Sequence, residues 1–334
     1  MGPGRVRERL VAVFEVDVRS LAVLRAGLGL LLLIDLVLRS RDLVAHYTDA
    51  GVLPRAVLFE LGASRWLASV HFVNGTWAVQ ALLFAAAAIA AVALLVGYRT
   101  RLASVVCWGM LVSVNARNPL VVLGGDVLMR VALFWAMFLP LGARWSVDRA
   151  LGRTTGPPAR SVVSGGTVAY LVQMVLVYGI SALRKSSPEW RSEGSALYYA
   201  LSLDHLTTPL GEALLAFPGL LRVLTHGVFW LEVMAPVLLL APVWKVGARC
   251  LVIGALALMH LGIAATLRVG LFPWIAVVTL VPFLPGPVWD ALDAWARRVL
   301  GPWSGGRDRE PEIATAPAGA AAPGPRSGVG RRPR

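Results

Sequence analysis

The residue with the most chemical promise is Lys185, in the stretch Tyr178 to Trp190 that reads YGISALRKSSPEW. An apolar run from Val162 to Leu183 stops there at Arg184 and Lys185, and Pro188, Glu189 and Trp190 follow. The chain holds two lysines, Lys185 and Lys245, against thirty arginines. Arginine keeps its proton everywhere, whereas a lysine partly withdrawn from water can lose it and act as a base. The competing reading is a lysine that snorkels to the boundary of a membrane span.

Other ionisable groups also lie inside apolar stretches. Asp126 and Arg130 are four residues apart, just after Gly124 and Gly125, so one helix face would present both and the pair would neutralise itself. Arg117 and Asn118 precede them, Tyr178 stands before Lys185, Glu232 lies in the run 221–240, and His260 in the run 250–267. Charges within a span face the bundle interior or a water-filled cavity. Lys185, Asp126 and His260 are therefore the candidate proton-handling residues. Arg117, Asn118, Arg130, Tyr178, Trp190 and Glu232 are the candidate substrate contacts. In a purely structural role Glu232 would pair with Arg25 or Arg130, and His260 would be a hydrogen-bonded residue of the bundle.

The elements that must position these groups are hydrophobic helices. Of 334 residues, 57% are hydrophobic and 15% charged, with mean hydropathy +0.68. A soluble domain would be about a quarter charged, so the composition is that of a polytopic membrane protein. About eight runs have the character of spans, against a need of ~20 residues each. They are 21–38, 77–97, 102–114, 119–141, 162–183, 221–240, 250–267 and 269–284, with short interfacial helices expected around 54–73 and 186–217. The expected class is thus all-α, an integral membrane helical bundle. Arg25 and Asp35, both in the first run, fall on different helix faces and are not expected to pair.

Residues 1–14 read as a cytoplasmic start and the first run as a retained span, not a signal peptide. Residues 301–334, rich in Gly, Pro, Ala and Arg, read as a disordered basic tail. With eight spans and a cytoplasmic N-terminus, the inner segments carry the larger share of Lys and Arg. That favours both termini in the cytoplasm of a cell-membrane protein and puts Lys185 near the outer face. The net charge of +13 is accounted for largely by this topology and the tail, and no basic stripe interleaved with aromatics points to nucleic acid. Cys107 and Cys250 sit in apolar runs without metal-ligand spacing. No phosphate-binding glycine loop, HExxH or flavin fingerprint is present.

Several stretches in order, DVRSLAVLRAGLGLLLLIDL, HYTDAGVLPR, RNPLVVLGGDVLMRVALF, LPLGARWSVD, YGISALRKSSPEW, FWLEVMAPVLL and ALMHLGIAATLRVGLFPW, resemble the horizontally transferred transmembrane (HTTM) domain. This is the membrane part of vitamin K-dependent gamma-carboxylases and their bacterial relatives, and the likeness covers roughly residues 15–290 within an expected domain of 15–300. The resemblance implies an all-helical membrane bundle, reduced vitamin K or another quinol as the reacting cofactor, and Lys185 as the base that deprotonates it, five residues before Trp190. Two departures stand out. The carboxylases carry a histidine at about Gly125, and they continue into a large extramembrane domain that engages a protein substrate. The expected partners are therefore the bilayer and a lipid-soluble small molecule, with no nucleic acid and no identified protein partner. Two functions follow: an enzyme using Lys185 on a quinol-type substrate, or a non-enzymatic membrane protein, either a small-solute transporter or an assembly partner.

Overall fold

The computed structural model describes residues 11–60, 69–154, 159–242 and 244–300; the expected tail and most of the expected N-terminal segment lie outside them. Nine helices carry the argument: α1 (Val18–Ser40), α2 (Trp77–Val96), α3 (Thr100–Arg117), α4 (Gly124–Ala136), α5 (Gly165–Arg184), α6 (Pro218–Leu239), α7 (Lys245–Thr266), α8 (Phe272–Leu280) and α9 (Gly286–Leu300). Short helices occupy Leu43–Tyr47, Arg55–Glu60, Pro188–Arg191, Ala196–Leu201 and Pro209–Leu214. Two-residue strands β1 (Val16–Asp17) and β2 (Ser161–Val162) pair antiparallel and tie the start of α1 to the start of α5. The class is all-α, as the composition implies.

Among the described residues five helices, α1, α2, α5, α6 and α7, are long and apolar enough to cross a membrane, or six if Phe272–Phe283 and Gly286–Val299 count as one broken span. The expected count of eight is not reached by that measure. The expected span 119–141 is broken at its start: Pro119–Val121 forms a 3-10 turn, Val122 and Leu123 are extended, and α4 keeps 13 residues, about 20 Å of helix. The run 269–284 likewise divides into α8 and a 3-10 turn.

Local chemistry sets the ends. Asp17 caps α1 by accepting the Arg19 N–H at 2.8 Å, the side-chain capping that an orphan first-turn amide requires. Ser164 and Thr167 exchange hydrogen bonds in a capping box that starts α5. At the end of α2, Gly97 adopts φ 75, and a Cβ there would lie 2.1 Å from Arg25 Nη1. Only glycine meets both demands.

α1 packs chiefly on α2, α4 on α3 and α8, and α6 on α5 and α7. Leu24, Leu28, Leu94, Leu133, Tyr170 and Leu171 form part of the shared core. The helix ends gather in two groups. At the near end, where α1 begins, Arg25 donates to the Leu141 and Trp145 carbonyls and Arg249 to those of Leu239 and Val13. At the far end, Arg39 at the close of α1 meets Asp126 at the opening of α4, and Arg117 at the close of α3 holds the Thr48 carbonyl.

Candidate functional site

Lys185 closes α5, and Ser186, Ser187 and Pro188 turn the chain into the short helix that carries Trp190. A proline at the first helical position fits, because it lacks the N–H that would go unpaired there. The turn folds the Trp190 ring back over the Lys185 ammonium, 4.9 Å from Nζ to the ring centroid. Nζ donates to Ser181 Oγ at 2.8 Å, one helical turn earlier, and to Glu232 Oε2 at 2.5 Å across the α5–α6 contact. Both side chains are largely withdrawn from solvent, with exposures of 15% for Lys185 and 8% for Glu232.

The partner of Glu232 is therefore Lys185, not Arg25 or Arg130. Arg25 spends its guanidinium on two backbone carbonyls at the near end, and α6 faces α5 rather than α4. Arg25 and Asp35 stay apart, as expected, and Asp35 pairs with Arg39 one turn on.

A second polar pair lies in the same half of the bundle. Tyr178 Oη and His260 Nε2 are 3.3 Å apart. His260 is 3% exposed and its Nδ1 has no hydrogen-bond partner among the described residues. Its ring meets Phe272 edge-on at 5.5 Å. Phe272 in turn crowds Gly125: a Cβ at residue 125 would sit 3.2 Å from the Phe272 backbone. Gly125 thus lets the start of α8 close against α4.

Asp126 does not pair with Arg130. Its Oδ1 accepts from Arg39 Nη2, and its Oδ2 accepts the Leu123 N–H at 2.7 Å. The physical reason is position: Asp126 is in the first turn of α4, where free amides and the helix dipole draw a carboxylate toward the helix start. Arg39 also donates to Asp35 Oδ2 at 2.7 Å and to Tyr47 Oη at 2.8 Å. Arg130 is half-buried and has no ion-pair partner among the described residues. A cleft of about 240 Å³ opens beside this network, lined by Asp35, Arg39, His46, Tyr47, Asp126 and Phe272 among others.

Arg117 and Asn118 lie behind it as loop anchors. Arg117, fully buried, donates to the Leu53 and Thr48 carbonyls at 2.8 and 2.9 Å, and Asn118 Nδ2 to the His46 carbonyl at 3.0 Å. The structure brings Lys185, Glu232 and Trp190 together, and Tyr178 with His260, while Asp126 belongs to the Arg39 cleft. The sequence reading missed Arg39, His46, Tyr47 and Phe272 as cleft residues; the four-residue spacing of Asp35 and Arg39 was the available signal.

Outside the spans, Asp148 accepts the Arg99 and Thr100 amides, each at 2.8 Å, and the Thr100 hydroxyl at 2.6 Å. Burial works to raise its pKa, but these hydrogen bonds outweigh it and hold the carboxyl below its usual value. Among the described residues no group of His, Cys, Asp and Glu is arranged to hold a metal ion.

The model of the HTTM domain family matches residues 14–289, which contain Lys185, Glu232, Tyr178, His260, Asp126 and Arg39. No curated protein and no solved structure matches the sequence. With that match over most of its length and its apolar helices, the chain is a multi-pass integral membrane protein and belongs to the HTTM domain family.

Proposed function

We propose that the protein is a membrane enzyme that takes a proton from a quinol-type or other lipid-soluble substrate at the Lys185–Glu232 pair. The observation that carries this reading is the one-to-one pairing at 2.5 Å of two largely buried side chains beneath the Trp190 ring. The pair works as a unit. Glu232 takes one proton from the Lys185 ammonium, and the freed amine then accepts the substrate hydroxyl proton, leaving an oxyanion beside a regenerated ammonium. The Trp190 face favours that ammonium. Tyr178 and His260 supply further hydrogen-bonding groups in the same half of the bundle. With eight crossings and a cytoplasmic N-terminus, the positive-inside bias would put this chemistry toward the outer leaflet of a cell membrane, with both termini in the cytoplasm.

The test is epoxide formation from vitamin K hydroquinone in membranes that hold wild type or Lys185→Ala. Product from the wild type alone is expected. No product from the wild type, with the protein folded, would sink the reading and leave the carboxylase resemblance as one of architecture.

One observation favours a non-enzymatic role instead. The cations Lys185 and Arg39 are each neutralised within the bundle, as packing alone could require. A transporter would lose solute flux on neutralising Asp126 or Glu232. An assembly partner would tolerate Lys185→Ala and keep its bound protein.

A further inference from the structure

The second lysine stands at the opposite end of the bundle, in a cleft of about 250 Å³ built from four separate segments. Glu15, Asp17 and Arg19, then Arg160 and Ser161, then Lys245, and last Gly286 and Asp290 line it. Two of its three carboxylates are paired with a cation. Asp17 and Asp290 both bind Arg19, at 2.7 and 2.9 Å, and Glu15 accepts the Ser161 hydroxyl at 2.5 Å. Its other cations are not so held. Lys245 Nζ donates to the Ala12 carbonyl, which leaves two of its three N–H donors, and the exposed Arg160 guanidinium has no partner among the described residues. Behind them Arg249, 1% exposed, donates to carbonyls alone, and among the described residues Glu15 is the one carboxylate whose charge acts on it and on Lys245, so four cations (Arg19, Arg160, Lys245, Arg249) face three carboxylates (Glu15, Asp17, Asp290).

Two features add to this local excess of positive charge. Lys245 is the first residue of α7, a 22-residue helix whose start no side chain caps, so the helix dipole adds to the field. Trp244, at that cap, is 72% exposed. An exposed tryptophan at the end of a span marks the headgroup level of a bilayer. The cleft is thus a basic pocket between span ends, open at the depth where phosphodiesters lie.

We infer that this near-end cleft binds the phosphate of an anionic phospholipid headgroup, with Lys245 and Arg160 as its direct ligands and Arg249 reinforcing them from behind. The acyl chains would run along α7, whose Leu251 and Leu258 are exposed. A free phosphate could meet the same cations, but it would gain nothing from the exposed apolar helix beside them.

The experiment follows thermal unfolding of the full chain in detergent on adding phosphatidylglycerol, phosphatidylcholine or inorganic phosphate. For the wild type, phosphatidylglycerol should raise the melting temperature well above the phosphatidylcholine value, with no shift from phosphate. Arg160→Gln, on an exposed side chain, and Lys245→Gln should each lose at least half of that shift, while Arg101→Gln, exposed and outside the cleft, keeps it. Equal shifts from both lipids would overturn the assignment. So would an undiminished shift in Arg160→Gln, or an equal loss in Arg101→Gln. A full shift from inorganic phosphate would reassign the cleft to a free anion.

Discussion

The far end of the bundle holds two charged assemblies of different design. Lys185 meets one carboxylate, that of Glu232, and an aromatic ring. Arg39 meets two carboxylates and a phenol at once, and one of those carboxylates, Asp126, also caps a helix. A lone buried pair can pass a proton and return it, because one transfer neutralises both partners. A network with a guanidinium at its centre cannot do so, since arginine keeps its charge. On the proposed function, proton work falls to the first assembly, while the second joins α1, α4 and Tyr47. The contrast also explains why the more conspicuous cleft, beside Arg39, is not taken as the seat of proton abstraction: its carboxylates Asp35 and Asp126 already share a fixed cation.

The largest effects should break the comparison in activity. Lys185→Ala and Glu232→Gln are each expected to lower epoxide formation by about 10²–10⁴-fold, the usual worth of a positioned acid or base. If the pair acts as a unit, the double variant should lose little more than either single one. Multiplying losses would show two independent roles. In stability the order should reverse. Arg39→Met leaves Asp35 and Asp126 buried without their cation, a cost of about 3–5 kcal/mol, which thermal unfolding in detergent would read. A mild loss there, comparable to that of an exposed arginine, would deny the network its structural role.

Gly125 lies where the two regions approach each other, through Phe272 and His260. Gly125→Ala should cost about 1–3 kcal/mol, the range for overpacking, because the new Cβ presses on the Phe272 backbone at 3.2 Å, which cannot turn aside as the Ile275 side chain at 3.3 Å can. A variant as stable as wild type would mean that α8 can withdraw from α4 by the small distance a methyl group needs.

How far the sequence could reveal all this depended on distance along the chain. The five long apolar runs became α1, α2, α5, α6 and α7 because each holds enough apolar residues to be a helix whatever surrounds it. The run from Pro119 did not, since a proline and two extended residues use up its first turn. Lys185 and Trp190 stood out together only through the spacing that the family resemblance supplied, and a short local turn is what brings the ring over the ammonium. The partner of Glu232 was not, because it depends on which helix α6 faces. Asp126 and Arg130 had the right spacing for a pair, but spacing says nothing of the pull of free amides at a helix start. Arg39 was missed because nothing local shows that α4 will deliver a carboxylate to it.

The smallest effect concerns a carboxylate in neither assembly. Asp148 binds amides and a hydroxyl at the start of α3 and lies 3.5 Å from the exposed Arg153 guanidinium, so it caps a helix with a solvent-facing cation beside it. Its pKa is held below the usual value near 4. The folded state therefore binds this proton less readily than the unfolded state does. The stabilisation is complete above the unfolded pKa and is lost as pH falls through the lower folded value. Asp148→Asn should cost about 1 kcal/mol at neutral pH, the usual worth of a cap, and the gap between variant and wild type should close on acidification below about pH 4. A gap that persists unchanged to pH 2 would show that the side chain acts by shape rather than charge. Asp148 would then differ in kind from the Asp126 cap, whose charge also serves Arg39.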